Sequence, residues 1–83
     1  MRISVQLKDG RILKTGSRSR YVAFRLTQFG SFSVHSNNQA EGVLKRVVDD
    51  HNRMGFKYVV LDTQNGEIIG HYPKTMNVAL VGS

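Results

Sequence analysis

The sequence predicts an α+β domain in which antiparallel β-hairpins carry one amphipathic helix, in ββββαββ order. Three observations lead there. Short alternations of apolar and polar residues, the period of a strand with one buried face, recur on both sides of a single helical stretch. Asp9-Gly10 and Asn65-Gly66 punctuate them, and such dipeptides supply the positive φ angles of tight hairpins. Between residues 38 and 54 the apolar residues fall instead at steps of three and four, which line one face of a helix. With 83 residues, 40% of them hydrophobic and 22% charged, the chain has apolar surface for one core, so residues 1–83 are expected to form a single domain.

Ile3, Val5 and Leu7 alternate with Ser4 and Gln6 in a first strand, and Asp9-Gly10 returns Arg11 to Thr15 as a second. Gly16 to Arg20 reads as a polar, flexible connection with no apolar anchor. In the third strand, Tyr21 to Thr27, Val22, Phe24 and Leu26 share one face while Tyr21, Ala23, Arg25 and Thr27 share the other, which is expected to point outward. A turn over 28–31 precedes a fourth strand built on Phe32 and Val34. These basic N-terminal hairpins occupy residues 1–36.

The helix, over 38–54, aligns Ala40, Val43, Leu44, Val47, Val48, His51 and Met54. Asn38 with Glu41 matches a capping box, and Gly55 offers the left-handed stop, with Phe56 able to fold back on the last turn. Gly42 costs about 1 kcal/mol relative to alanine, with no reason visible in the sequence. A C-terminal hairpin over 56–73 closes on Asn65-Gly66, and a two-residue turn there sets Thr63 opposite Ile68, Leu61 opposite Gly70 and Val59 opposite Tyr72. Both its faces are apolar, so either the first strands cover the second face or another molecule does. Residues 74–83 form a tail whose Val78, Leu80 and Val81 favour some ordering.

The formal net charge of +6 sits entirely in residues 1–35. There Arg2, Lys8, Arg11, Lys14, Arg18, Arg20 and Arg25 face Asp9 alone, a balance that draws a chain toward phosphate polymers. Within that part, Lys14, Arg18, Arg20 and Arg25 are the candidate phosphate contacts and Tyr21 the candidate stacking residue, because guanidinium groups fork onto phosphate oxygens and an aromatic ring accepts a base. A different class of function, a protein-binding inhibitor or adaptor, would use the final hairpin, with Tyr58, Ile69, His71 and Tyr72 as anchors. Homodimerisation through that face is the structural alternative.

Catalysis and cofactors are not expected. No cysteine is present, so thiolate metal sites and disulfides are excluded. His35, His51 and His71 are far apart in sequence, and His51, on the apolar helix face, reads as a core histidine bonded to backbone. No Gly-x-Ser-x-Gly elbow occurs, and the glycines punctuate hairpins rather than opening a phosphate loop. Asp49-Asp50 reads as a solvated face, since adjacent helical residues point about 100° apart. The first ten residues alternate and lack the apolar core of a secretory signal, and no apolar run is long enough to span a membrane, so a cytoplasmic protein is expected.

Residues 32–72, with Gln39-Ala40-Glu41 opening the helix, Gly55 closing it and Val59 to Ile68 folded around Asn65-Gly66, resemble small uncharacterised ββαββ domains of bacteria and their phages. Some compact phage anti-CRISPR proteins have a similar layout. The resemblance covers about half of the chain and implies a helix on an antiparallel sheet and a binding role, for example against a host nucleoprotein complex. It transfers no functional residue, and the N-terminal basic hairpin departs from it.

Overall fold

A computed structural model describes residues 3–81. Strands β1 (Ile3–Gln6), β2 (Ile12–Thr15), β3 (Tyr21–Thr27) and β4 (Gly30–Asn37) precede helix α1 (Ala40–Met54), and β5 (Lys57–Asp62) and β6 (Glu67–Tyr72) follow it. This is the α+β fold in ββββαββ order that the sequence predicts. β1 and β2 form a two-stranded antiparallel sheet, while the other four make an antiparallel sheet in the order β4-β3-β5-β6.

The central strands β3 and β5 are buried on both faces, which explains the weak alternation of residues 56–62. On one face Val22, Phe24, Leu26, Val59 and Leu61 pack with Leu7 and Leu13 of the β1–β2 hairpin, and Met76, Val78 and Leu80 close over them. On the other, Ala23, Tyr58 and Val60 pack against Val43 and Val47 of α1. The first strands therefore cover the second sheet face. The face of β3 expected to point outward is the seat of the helix, because Ala23, with no exposed surface, leaves room for a helix to approach.

Turn chemistry departs from the sequence reading in detail. A two-residue turn of the expected kind needs positive φ at both central residues. Only glycines adopt it here: Gly10 at 97° and Gly66 at 75°. The first hairpin therefore closes through Lys8-Asp9-Gly10, with the Leu7 amide donating to the Arg11 carbonyl at 2.8 Å. The last closes through Thr63 to Gly66, with Asp62 opposite Glu67 and Leu61 opposite Ile68. The Asp62 side chain drives that choice by accepting the Gln64 amide at 3.0 Å, a local bond that competes with the shorter turn. A bulge after Val60 then sets Val59 opposite His71 and Tyr58 opposite Tyr72, which carries Tyr72 to the helix side.

The expected capping box does not form. Gln39, not Asn38, is the N-cap and makes no side-chain cap bond, while the Asn38 Oδ1 accepts from the Arg20 amide at 3.0 Å. Gly55, at φ 75°, ends the helix as expected, its amide donating to the His51 carbonyl. Gly42 gains a reason: a Cβ there would lie 2.8 Å from Asn37 Nδ2, and Asn37 is held by the Gln39 amide at 2.9 Å. Residues 79–81 run antiparallel beside β1, with Lys8 donating to the Ala79 carbonyl at 2.8 Å and Val81 to that of Gln6 at 2.9 Å. Among the described residues no helix is long and apolar enough to cross a membrane.

Candidate nucleic-acid interface

The structure separates the residues expected to form one basic site. The β2–β3 loop carries local hydrogen bonds: the Ser17 amide donates to Thr15 Oγ1 and the Ser19 amide to Ser17 Oγ. The Thr63 amide and hydroxyl tie its far end by donating to the Arg20 carbonyl at 2.7 Å. Lys14 and Arg18 are exposed, on the hairpin and its loop. Arg20 is not a free phosphate contact, since its Nε and Nη2 fork onto the carboxylate of buried Asp62, Nη2 at 3.0 Å. Tyr21, expected to face outward, lies half-buried against the helix-side core with the Arg20 guanidinium 5.0 Å from its ring centre.

That ion pair has a pH consequence. The hydrogen bond from Arg20 holds the Asp62 carboxyl below the usual range, against the opposing effect of burial, and the Gln64 amide adds to it. His35 does the same for Asp50, where Nε2 meets Oδ2 at 2.7 Å, and Arg53 assists at 2.9 Å. Asp50 is thus a half-buried link between α1 and β4 rather than part of a solvated face, which its neighbour Asp49 does occupy. With both carboxyls depressed, the unfolded chain binds more protons than the folded one between the folded values and about 4. Stability is complete above about 4 and falls as acid titrates the folded carboxyls. Denaturant midpoints measured from pH 6 down to pH 2 should drop, and Asp62→Asn should be less stable at pH 6 and flatter below pH 4. An unchanged acid slope in Asp62→Asn would rule out this contribution.

Arg25 lies five residues beyond Arg20 on β3, about 17 Å along the strand, on the helix side. It is not an outward phosphate contact. Its guanidinium stacks 4.3 Å from the Phe56 ring centre and 5.6 Å from that of Tyr58, and Nη2 donates to the Tyr58 hydroxyl at 3.2 Å. Tyr58, expected as an exposed anchor for a partner, is fully buried. Register explains this, since Tyr58 pairs with Arg25 on one side and Tyr72 on the other, under the helix side of the sheet. Of the remaining anchors, Ile69 is exposed, His71 is half-buried with Nδ1 donating to the Pro73 carbonyl, and Tyr72 tilts against His51. His51 donates to the Phe56 carbonyl at 2.7 Å, the backbone bond expected of it. Among the described residues no three His, Asp or Glu side chains gather as metal ligands.

Other cations meet at the opposite end of the sheet. Lys8 and Arg11 from the β1–β2 turn and Lys57 from the start of β5 line one cleft of about 390 Å³, with Asp9 as its carboxylate. The pairing of Leu26 with Lys57 puts β5 there, and Ser31 Oγ, donating to the Ile12 carbonyl, binds the β3–β4 turn beside the β1–β2 turn. Exposed rings lie at the same end of the sheet, Phe29 beside Arg11 and Phe32 and Phe56 with Arg25 on the helix side. Phe29 at the turn tip is 83% exposed and Phe32, opposite Arg25, is 52% exposed, with Phe56 across the stacked guanidinium. Sequence reasoning counted Lys8 and Arg11 only in the charge total and missed Lys57, Phe29, Phe32 and Phe56 as site residues. An aromatic at the tip of a polar turn, Gln28-Phe29-Gly30, was the available signal for the first ring.

Fold and site together define a small layered α+β domain with one end that is both basic and aromatic. Comparison of the chain with protein-family models, curated proteins and solved structures gives no significant match.

Proposed function

We propose that the protein is a small, non-catalytic nucleic-acid-binding protein that holds unpaired nucleotides at this basic, aromatic end. The observation that carries the reading is the convergence of Lys8, Arg11 and Lys57 on one cleft, with the exposed Phe29 ring beside Asp9 and Arg11. Cations follow a phosphate backbone and flat rings accept bases of any identity, the combination that single-strand binders use. Both sheet faces are covered, so bases would stack at turns rather than on an open sheet. Lys14 and Arg18 lie exposed outside this cleft.

Labelled oligothymidylate, titrated by anisotropy at several salt concentrations, tests it. Neutralising three or four phosphates gives a log-log slope of about −2 to −3, hence a roughly 15- to 60-fold loss of affinity from 50 to 200 mM salt. Lys8→Ala with Lys57→Ala should flatten that slope, while Lys14→Ala with Arg18→Ala should change it less. A salt-independent affinity, or no binding at low salt, would refute the proposal.

A second reading rests on β6, an edge strand carrying exposed Ile69 beside a groove lined by Leu44, Tyr72 and Val78. A protein partner could add a strand there, as an inhibitor of the anti-CRISPR kind or an adaptor would. Partner protein retained on the immobilised chain after nuclease treatment would favour this reading over the first.

A further inference from the structure

The cleft at the turn end has a feature that a merely basic surface lacks. Arg11 leans its Nε on Asp9 Oδ2 at 3.4 Å, while its Nη1 is shut off from solvent and has no acceptor. A guanidinium donor held away from water without a partner is unfavourable, and an anion is the acceptor that offsets most of that cost. The side chain is still 30% exposed, and Arg11 is one of the residues lining the cleft. Lys8 and Lys57 line the same space with Asn77, and Leu7, Leu26 and Val78 give it an apolar, low-dielectric lining. Low dielectric strengthens each charge contact with an anion seated there.

The backbone around the cleft is already fixed. Lys8 is bonded to Ala79, Gly10 to Leu7, and the Arg11 amide to Asp9 Oδ1 at 2.9 Å. The Asp9 carboxylate is thereby committed to its own turn. Little ordering is required when a ligand arrives, which preserves affinity in a small site.

We propose that this cleft seats one phosphate group, with Arg11 as its forked donor and Lys8 and Lys57 as flanking charges. The proposal deepens the nucleic-acid reading and rests on it only for the source of the phosphate, which is either a diester within a strand or a terminal or free phosphate.

Backbone amide shifts in the full chain test it, with inorganic phosphate as the first probe and chloride at matched ionic strength as the control. Phosphate should move amides of residues 7–11, 57 and 76–79 where chloride does not. Arg11→Gln should weaken the response at least about tenfold, the equivalent of one charge-assisted bond. Lys57→Gln provides an independent variant should Arg11→Gln fold poorly, and thermal melts confirm that each compared protein is folded. Equal shifts with chloride, or responses unchanged in both variants, would overturn the proposal.

Pentathymidylate with and without a 5′-phosphate then identifies the source. Tighter binding of the phosphorylated strand that Arg11→Gln abolishes assigns a terminal phosphate, and equal binding that Arg11→Gln weakens assigns a diester. Cleft shifts with phosphate but no binding of either strand would keep this site and reject the nucleic-acid reading. Strand binding indifferent to both variants, with no cleft shifts, would do the reverse.

Discussion

Tyr58→Ala should cost about 3–5 kcal/mol of folding stability, a large share of the roughly 5–15 kcal/mol that holds a domain of this kind together. The ring is fully buried between β3 and β6 under the helix side of the sheet, so truncation leaves a cavity that Val43, Val47 and Val60 can fill only in part. It also removes the hydroxyl that accepts from Arg25 Nη2, whose Nε already lacks an acceptor. Urea unfolding should show a lower midpoint with an unchanged slope, the sign of lost stability without a changed denatured state. Tyr58→Phe separates the two causes, because it keeps the packing and gives up only the hydroxyl bond, typically about 1 kcal/mol. A loss below about 1 kcal/mol in Tyr58→Ala would contradict the burial described and restore Tyr58 as a surface residue.

Phe24→Ala should be as damaging for a different reason, again about 3–5 kcal/mol. Phe24 is 1% exposed on the opposite face of β3, where the sheet meets the β1–β2 hairpin. Its loss loosens the hairpin layer rather than the helix. Amides of β1 and β2 should then lose hydrogen-exchange protection before those of α1, whereas Tyr58→Ala should expose α1 first. Loss of protection in α1 before the hairpin in Phe24→Ala would show that the two faces are not independent layers.

How much of this was legible depended on how far apart in the chain the cause lay. The helix was readable because its signal is local: Val43, Val47 and Gly55 carry period and stop within one stretch. The two glycine turns were placed correctly for the same reason, although the length of the second was not, because the Asp62 side chain settles it. Residues 56–62 showed apolar groups on both faces, but nothing local says which face is covered or by what. Tyr58 was therefore as good a surface anchor as Ile69 until pairing with β3 buried it. Arg20 looked free because its partner Asp62 lies 42 residues away, and Asn38 looked like a cap because the Arg20 amide that claims it is 18 residues away. The convergence of Lys8, Arg11 and Lys57 likewise exists only through the β3–β5 register.

With one sheet face under the hairpin and the other under the helix, the contacts proposed above lie at the rim of the molecule. The backbone frame of the described chain spans 30 × 27 × 21 Å, so one end has a cross-section on the order of 500 Å², small beside the roughly 800 Å² per partner in a standard stable interface. A binder confined to such a footprint gains, on the reading proposed, from contacts that repeat. Its occupancy is then governed by how many equivalent footholds lie within reach after each release, and a repeating polymer supplies those where a single globular partner does not.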